Sequence, residues 1–374
     1  MTTQKPSPIH FRPSTLGSLG VEVEWITVDA ESGEQIPAAP QLLEQLNHFP
    51  RIKPELFTST IEINSDIHMQ TDSCINELKQ LYGEASIGLN AQNAALLSSG
   101  THPFSHWQDQ IVSEDARYHR LVERLQWVAR RFNIFGTHVH IGMPDGDTCI
   151  AAMNHLMPVI PAFLAISANS PFWGGHDTGL AACRIKIFEG LSQGGMPFYF
   201  DDWNDFKHCA SRLVSTGSID SVRDIWWEMR PHPDFGTLEI RIGDTLPTLA
   251  ATRAYVAYVR AECMAAATSE TTEHVHPSLI RENRWRACRY GIQATLIDPA
   301  TEKLVPVLDW IESRLDMLGK QGAKDDDLAI VRQQLPVWRK HGDGAGRQRM
   351  LYDKHRTFAD MIRQMRRDGW HDDD

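Results

Sequence analysis

Six short segments of the chain alternate apolar and polar side chains, a pattern typical of β-strands with one buried face and one polar face. The predicted strands cover residues 21–25, 61–64, 137–141, 184–187, 227–230 and 237–242. Aligned in one sheet, they would place Val, Ile, Leu and Met on one face and Glu, His, Arg and Lys on the other. Such two-sided strands suit antiparallel pairing better than the fully buried strands of a parallel sheet. The sequence therefore predicts an α+β fold.

Helical periodicity covers much of the remaining chain and is clearest at residues 113–132, where apolar side chains recur three or four positions apart. The other predicted helices cover residues 72–97, 151–167, 249–267, 305–318, 326–339 and 352–367. We expect them to cover the apolar face of the sheet. No repeat or linker interrupts the chain, so we predict one catalytic domain over residues 1–374. Its sheet and main helices would occupy about 16–298, and a helical C-terminal portion about 299–374.

Composition excludes several classes of protein. A formal net charge of -11 argues against a general surface for nucleic acids or anionic membranes. The longest nearly apolar run, residues 156–166, contains two prolines and is shorter than the roughly 20 residues that span a bilayer. The first residues lack the apolar core of a secretory signal, so we predict a cytoplasmic protein. The six cysteines have no C-x-x-C spacing and are predicted to be buried thiols.

The polar face of the predicted sheet combines carboxylates, imidazoles and cations. Its members are Glu22, Glu24, Glu62, Glu228, Glu239, His138, His140, Arg184, Lys186, Arg230 and Arg241. Mg²⁺ and Mn²⁺ favour carboxylate oxygens, and arginine binds phosphates and carboxylates bidentately. Each motif alone also fits a structural role. Glu-x-Glu can lie on a solvated strand face, His-x-His can form a hydrogen-bonded structural pair, and either Arg230 or Arg241 can pair with a neighbouring glutamate. Their coincidence on one face favours a site for metals and anions.

Metals beside arginines are what phosphoryl transfer requires, because metals bridge phosphates while cations neutralise charge in the transition state. The chain contains no G-x-x-x-x-G-K-[ST] sequence and no G-x-G-x-x-G sequence after a strand. A P-loop or Rossmann nucleotide site is therefore not expected.

Several longer strings resemble those of one family. They are LGVEVEW (19–25), SSGTHPF (98–104), FGTHVHIG (135–142), SANSPFW (167–173), RPHPDFGTLEIRIGDT (230–245) and NRWRACRYG (283–291). Together they are similar to the bacterial YbdK-like carboxylate–amine ligases, also called glutamate–cysteine ligase type 2. The resemblance covers about residues 16–298 and is weaker beyond.

The resemblance implies a glutamine-synthetase-like fold, a curved antiparallel sheet whose concave face carries metals, ATP and substrate. It also implies the reaction: ATP phosphorylates the γ-carboxylate of glutamate, and an amine, cysteine in the family's weak reference activity, displaces phosphate to leave an amide. Mg²⁺ or Mn²⁺ and ATP are the expected cofactors. The expected partners are small-molecule substrates, namely amino acids such as glutamate and cysteine or another amine, with neither nucleic acid nor membrane, and a homodimer is the expected assembly.

Carried over by position, the resemblance assigns roles to individual residues. Glu22, Glu24, Glu62, Glu239 and His138 would bind metal, while Arg230 and Arg241 would steady the transferred phosphoryl group. His140 would contact a metal or the phosphates, and His140 or Glu228 could accept the proton of the amine. Candidates for binding ATP or substrate are Arg184, Lys186, Arg289 and Tyr290, and Thr101 and His102 are further candidates for the pocket wall.

Three alternatives remain open at this point. One is a metal-dependent phosphotransferase of the same fold that leaves a stable phosphorylated acceptor. Another is a dinuclear metal hydrolase built on the His-x-His pair. The third is a binding protein that keeps the fold without turnover.

Overall fold

The computed structural model describes residues 9–269 and 274–370. Its strands are β1 (Leu19–Asp29), β2 (Ile52–Pro54), β3 (Thr60–Asn64), β4 (Ala94–Leu97), β5 (Gly136–Gly142), β6 (Phe172–Trp173), β7 (His176–Asp177), β8 (Gly194–Gly195), β9 (Trp226–Trp227), β10 (Met229–His232), β11 (Thr237–Asp244), β12 (Thr295–Ile297) and β13 (Leu304–Pro306). Seven of them form the main sheet in the order β10-β11-β5-β1-β3-β2, with β4 also paired to β1. Every pairing in this sheet is antiparallel.

Fourteen α-helices lie within the described residues. They are α1 (Ala39–Gln45), α2 (Thr71–Asn90), α3 (Ala116–Leu125), α4 (Trp127–Arg130), α5 (Gly146–Leu156), α6 (Ile160–Ser167), α7 (Arg184–Phe188), α8 (Trp203–Ser215), α9 (Leu249–Ala267), α10 (Pro277–Tyr290), α11 (Val307–Lys320), α12 (Asp325–His341), α13 (Gly344–His355) and α14 (Phe358–Arg367). The predicted mixture of antiparallel sheet and helices is therefore confirmed.

The apolar face of the sheet forms the main core. Alternate residues of β1, including Val21, Val23 and Trp25, are at most 1% exposed and belong to one cluster with apolar residues of β3, β5 and β11. Helices α2, α5, α6 and α9 contribute to the same cluster. Because the strands place their apolar residues on this face, their charged and ligating side chains lie on the other.

The C-terminal helices are tied to the body of the protein by a buried ion pair. Arg260 of α9 donates from Nη1 to Asp327 of α12 over 2.7 Å, and both side chains are 1% exposed. Asp327 also accepts from the Thr71 hydroxyl at the start of α2. The remaining guanidinium nitrogens of Arg260 donate to the carbonyls of Gly17 and Met69. Four separate parts of the chain thus meet at one charged pair.

The structure corrects several predicted elements. The segment 184–187 is helix α7, not a strand, and the predicted strand 227–230 is divided between β9 and β10. The predicted helix 72–97 ends at Asn90 and is followed by β4, while 113–132, 151–167 and 352–367 are each divided into two helices. The first of these breaks falls at Gln126, whose φ of 51° and ψ of -125° are not helical.

Buried thiols and a buried apolar stretch agree with the predictions from composition. All six cysteines are free; Cys209 is half-buried and the other five are buried. The stretch Gly146–Ser167 is long and apolar enough to cross a membrane, but 83% of its most apolar window is buried inside the protein, as in a core helix. The chain start, on which the prediction of no secretory signal rests, lies outside the described residues.

Candidate active site

The polar face of the sheet is the floor of a cavity of about 550 Å³. Its walls include residues of α3, α7 and the segment 220–226, and Arg124 of α3 pairs with Asp224 over 2.8 Å. Strand register brings the predicted residues together, because Glu22 lies opposite His138, Glu24 opposite Glu62, and Glu239 opposite both His140 and Arg230. Side chains opposite each other in antiparallel strands lie about 5 Å apart on the same face.

One group of potential metal ligands consists of Glu22, His140 and Glu239, here called the carboxylate–histidine cluster. His140 Nε2 lies 3.5 Å from Glu22 Oε1 and 3.8 Å from Glu239 Oε1. His138 Nδ1 lies 3.5 Å from the other oxygen of Glu22. His140 Nδ1 is hydrogen-bonded to the Thr237 hydroxyl over 2.9 Å, so its Nε2 is the nitrogen presented to the carboxylates.

Two arginines balance the charge of this cluster. Arg230 donates from Nε to Glu239 Oε2 over 2.7 Å, and Arg241 pairs with Glu239 Oε1. Burial opposes ionisation of Glu239, but the charges of Arg230 and Arg241 outweigh it and hold its pKa well below the usual value. Burial likewise opposes ionisation of Glu22, but the adjacent imidazoles of His138 and His140 hold its pKa well below the usual value. Both carboxylates are therefore ionised at neutral pH.

A second group, here called the three-glutamate cluster, consists of Glu24, Glu55 and Glu62. One oxygen of each lies within 4.8 Å of the others. Burial, followed by the charge of Glu24, raises the pKa of Glu55 to about 7. Burial and the neighbouring charges of Glu22, Glu55 and Glu24 raise the pKa of Glu62 well above its usual value. These carboxylates repel one another, and no ion pair joins them to a cation within residues 9–269 and 274–370.

Both clusters have the composition of sites for hard divalent cations. Carboxylate oxygens with a single imidazole suit Mg²⁺ or Mn²⁺, which take their remaining ligands from water and substrate. His140 Nε2 and both ring nitrogens of His138 are buried without a hydrogen-bond partner among the described residues. A bound cation would give a partner to His140 and would relieve the repulsion within the three-glutamate cluster. The residues present therefore fit such ions.

Arg184 reaches the cavity from α7 through a gap left by a glycine. A Cβ atom on Gly136 would clash with its guanidinium, which donates to the carbonyls of Arg241 and Ile242 over 3.3–3.4 Å. The backbone N–H of Gly136 itself donates to Glu24 Oε2 over 2.6 Å. One glycine thus admits the arginine and holds a carboxylate of the three-glutamate cluster.

Comparison with known proteins places this site in a family. Residues 18–371 match the glutamate-cysteine ligase family 2. The chain is 40% identical over 364 residues to a putative glutamate–cysteine ligase 2 of Gloeobacter violaceus, covering 95% of this chain and 97% of that protein. It is 41% identical over 298 residues to the protein of the same description in Bdellovibrio bacteriovorus, covering 78% of this chain and 79% of that one.

The chain belongs to glutamate–cysteine ligase family 2. The family expected from the sequence motifs is therefore confirmed, and with it the class of a ligase that joins a carboxylate to an amine.

Solved structures agree with the fold. The glutamate–cysteine ligase of Francisella tularensis, determined in complex with AMP, superposes with a TM-score of 0.73 at 13% identity, covering 96% of this chain and 89% of that one. A bifunctional glutathione synthetase from Pasteurella multocida gives a TM-score of 0.72 at 13% identity, covering 94% of this chain and 52% of that one. The predicted glutamine-synthetase-like fold is confirmed.

The structure of this family member brings most of the predicted site residues together. Those that lie in the two clusters or line the cavity are Glu22, Glu24, Glu62, His138, His140, Arg184, Arg230, Glu239 and Arg241. Arg184 lines the cavity from helix α7. The strand predicted for it was therefore wrong, although the sequence placed it among the residues of the polar face.

Three predicted ATP- or substrate-binding residues lie elsewhere. Lys186 pairs with Glu189 and lies 5.2 Å from the Trp285 ring centroid, because α7 directs it away from Arg184. Arg289 packs over the ring of Tyr290 at the end of α10, and neither residue lines the cavity. The structure does not bring Lys186, Arg289 or Tyr290 to the floor of the sheet, and the position of the last two in the NRWRACRYG string does not place them there.

Three weaker candidates are internal structural residues. Glu228 is 1% exposed and paired with Arg284, so it does not face the cavity. His102 is fully buried, bonded through Nε2 to the carbonyl of Gly33, and burial lowers its pKa to about 4. The Thr101 hydroxyl donates to the carbonyl of Phe172.

Sequence reasoning missed other cavity residues. Glu55 was missed because it directly follows the three-residue strand β2, which carries no alternating pattern. The missed lining residues Arg117, Arg120 and Arg124 lie on the polar side of α3, which was predicted only as a packing helix. The sequence carried a signal for each. Glu55 lies in the hairpin that leads into β3, and the spacing of three and four residues places the three arginines on one side of α3.

Proposed function

We propose that this protein is an ATP-dependent carboxylate–amine ligase that works through an acyl-phosphate intermediate, with glutamate and cysteine as the reference substrates. The observation that carries the proposal is the pairing of two carboxylate clusters with two buried arginines on the floor of one cavity. An anionic nucleotide and an anionic acid can react there only if their combined charge is neutralised, and this floor is arranged to do so.

The reaction would proceed in two displacements. A carboxylate oxygen of the acid attacks the γ-phosphorus of ATP, and ADP leaves. The amine nitrogen then attacks the acyl carbon, phosphate leaves, and the amine gives up a proton. Arg230 and Arg241 stabilise the charge that develops on the transferred phosphoryl group, and Arg184, whose guanidinium lies against the backbone of Arg241, binds an anionic oxygen of the substrate.

Divalent cations are part of the proposal. Glu24, Glu55 and Glu62 would hold one, and Glu22, His140 and Glu239 another, and when bound they would offset the charge of the phosphates. His140 fits this role better than proton transfer, since its Nε2 faces two carboxylates and its Nδ1 is engaged by Thr237. His138 remains beside Glu22 as a second imidazole.

A screen of amino-acid pairs with purified protein and Mg²⁺ or Mn²⁺ tests the proposal. We expect ADP release that requires both an acid and an amine, together with an amide product identified by mass spectrometry. A phosphorylated acceptor formed in stoichiometric amount would favour a phosphotransferase of the same fold instead. Hydrolysis of a phosphate or amide compound without ATP would favour a metal hydrolase.

Conversion of a floor carboxylate to its amide tests the site itself. Glu24→Gln should lower ADP release at least a hundredfold at saturating metal, because it removes one ligand charge and keeps the shape of the side chain. Glu44→Gln, an exposed position on α1 outside the cavity, is the matched control and should leave turnover unchanged. Full turnover by Glu24→Gln would remove the catalytic assignment of the cavity.

The remaining parts of the proposal concern the cellular location, the binding partners and the oligomeric state of the protein. We propose a cytoplasmic enzyme that acts on small molecules, without a nucleic-acid or membrane partner, and that forms a homodimer. The net charge of -11 and the buried position of the stretch Gly146–Ser167 support the first part. Light scattering of the purified protein tests the homodimer, and a monomer at micromolar concentration would contradict it.

A further inference from the structure

Asp244 is a buried carboxylate next to the cavity rather than in its wall. It is the last residue of β11, it is 0% exposed, and it lies opposite Gly136, the residue that admits Arg184 to the cavity. Its Oδ1 is buried without a hydrogen-bond partner among the described residues. A buried carboxylate with one unsatisfied oxygen is costly, which indicates a role beyond packing.

The other oxygen of Asp244 joins two segments that do not line the cavity. Asp244 Oδ2 accepts from the backbone N–H of Asn169 over 2.8 Å and from the Ser170 hydroxyl over 2.7 Å. Gly100 packs so closely that a Cβ atom there would clash with the carboxyl group, and its N–H donates to the carbonyl of Asn169 over 3.0 Å. Parts of three strings that resemble those of the family therefore meet at this carboxylate.

Ser170 connects this carboxylate to Arg184. Its hydroxyl donates to Asp244 and accepts from the backbone N–H of Arg184 over 3.1 Å. Arg184 is the first residue of α7, so the two hydrogen bonds determine where this helix begins and from which point the guanidinium reaches the cavity. Such a chain of buried hydrogen bonds holds its members in one arrangement.

Arg184 differs from Arg230 and Arg241 in having no carboxylate partner. Those two arginines pair with Glu239, whereas no ion pair joins Arg184 to a carboxylate within the described parts of the chain. The guanidinium of Arg184 donates to backbone carbonyls over 3.3–3.4 Å, and its Nε is buried without a partner among the same residues. Its charge is therefore available to an anion, but a buried charge without a counter-charge is costly.

Asp244 supplies that counter-charge without an ion pair. Burial raises the pKa of Asp244 to about 6, and the charge of Arg184 opposes that rise, so the two side chains interact across the gap between them. The carboxylate is therefore largely ionised at neutral pH. A direct ion pair would instead occupy the N–H groups with which Arg184 can bind a substrate.

We propose that Asp244 is the positioning residue for Arg184. It fixes the start of α7 through Ser170 and balances the guanidinium without pairing with it, so that Arg184 can bind an anionic oxygen of the acid substrate. This rests on the proposed function, in which Arg184 contacts the substrate and Asp244 does not. It also gives a role to the segments 98–100 and 169–170, which contribute no residue to the cavity wall.

A double-mutant cycle on glutamate binding tests this role without requiring turnover. Binding of glutamate would be measured by saturation-transfer NMR on protein that holds Mg²⁺ and a non-hydrolysable ATP analogue. Asp244→Asn keeps the shape of the side chain and removes its charge. It should weaken glutamate about tenfold in the chain that contains Arg184, and less than twofold in the Arg184→Ala background. The affinity of the ATP analogue should change less than twofold in both.

Two further variants separate positioning from a general loss of folding. Ser170→Ala breaks the hydrogen-bond chain and should weaken glutamate about threefold. Glu262→Gln is the matched control, because Glu262 is 1% exposed, pairs with Arg314 and does not line the cavity, so glutamate affinity should stay unchanged. Equal losses from Asp244→Asn with and without Arg184, or no loss in either, would overturn the role. If Asp244→Asn does not fold, unchanged affinity in Ser170→Ala overturns it.

Failure of this role and failure of the proposed function give different results. If glutamate binds with the predicted dependence on Asp244 but no acid and amine are joined, the positioning role stands and the ligase assignment falls. If ligation occurs and Asp244→Asn leaves the KM for the acid unchanged, the ligase assignment stands and the positioning role falls. Absence of glutamate binding by the unchanged protein overturns the role together with glutamate as the reference acid.

Discussion

The two clusters on the cavity floor each offer three potential metal ligands, yet their charges are balanced in different ways. In the carboxylate–histidine cluster, Glu239 is 1% exposed and contacts two arginines, which keep it ionised. No ion pair within the described residues joins the three-glutamate cluster to a cation, and burial with the neighbouring carboxylates raises the pKa of Glu55 and of Glu62. The carboxylate–histidine cluster is thus balanced in charge without a bound ion, whereas the three-glutamate cluster requires a bound cation to balance its charge.

Removing the charge of Glu239 should have the largest effect. Glu239→Gln leaves Arg230 and Arg241 buried without a counter-charge, and breaking a buried pair in this way costs about 3 kcal/mol or more. We expect the free energy of unfolding of the metal-free protein, measured with denaturant, to fall by about that amount. A loss no greater than that of Glu62→Gln would show that the two clusters do not differ as described.

The pH dependence of the metal-free protein should report the three-glutamate cluster. Glu55 binds a proton more tightly when folded, since its pKa is about 7 against a usual 4.5. Its contribution to stability is therefore present at low pH and is lost as pH rises from about 4.5 to about 7, by on the order of 2 kcal/mol. Denaturant titrations across this range should show the decline, and Glu55→Gln should flatten it. A decline that Glu55→Gln leaves unchanged would contradict the assignment.

Gly136 lies between Arg184 and Glu24 of the three-glutamate cluster, and a methyl group there should disturb both side chains. Gly136→Ala would push the guanidinium of Arg184 out of its gap, with a loss of about 1–2 kcal/mol from overpacking. We also expect turnover to fall more than the affinity for ATP, because Arg184 contributes to the reacting end of the site. Gly83→Ala is the control, as a Cβ atom at Gly83 would meet no atom within 4 Å. Equal activity of the two variants would remove Arg184 from the mechanism.

The smallest expected effect is a gain in stability. Glu62→Gln replaces a carboxyl group whose ionisation is opposed by burial and by its neighbours with a neutral amide, so the melting temperature of the metal-free protein should rise by about 2 °C, the shift that about 1 kcal/mol produces in a large domain. The same variant should gain less than the unchanged protein from added Mg²⁺, because a ligand is missing. A lower melting temperature without metal would show that Glu62 is already compensated.

The sequence predicted the parts of this site that lie on long strands. Alternation along β1, β5 and β11 identified Glu22, Glu24, the two histidines and Glu239, because register in a sheet with one buried face is strongly determined. It failed at 184–187, where four residues of Arg-Ile-Lys-Ile fit a strand or a helical turn equally well. The N–H of Arg184 donates to the Ser170 hydroxyl, a tertiary contact that no local pattern contains.

Glu55 and the α3 arginines show a second limit. Their place in the cavity depends on how a hairpin and a helix fold over the sheet, and that arrangement is set by long-range packing. A short motif also predicted two residues for the pocket, Arg289 and Tyr290, that do not line the cavity. They follow one another at the end of α10 and contact each other. Family resemblance identified the side chains of the strand motifs that reach the floor, but for the helical NRWRACRYG string it named two that do not line the cavity.

The ion pair between Arg260 and Asp327 has a consequence for how the chain is made. During synthesis the whole sheet emerges before α12, yet until residue 327 has left the ribosome the guanidinium at the centre of α9 has no carboxylate to meet. A nascent chain that stops short of α12 would have to bury that charge alone or leave α9 undocked. We therefore expect the sheet to complete its packing late, and a protein truncated at residue 298 to be degraded rather than to persist as a smaller ligase.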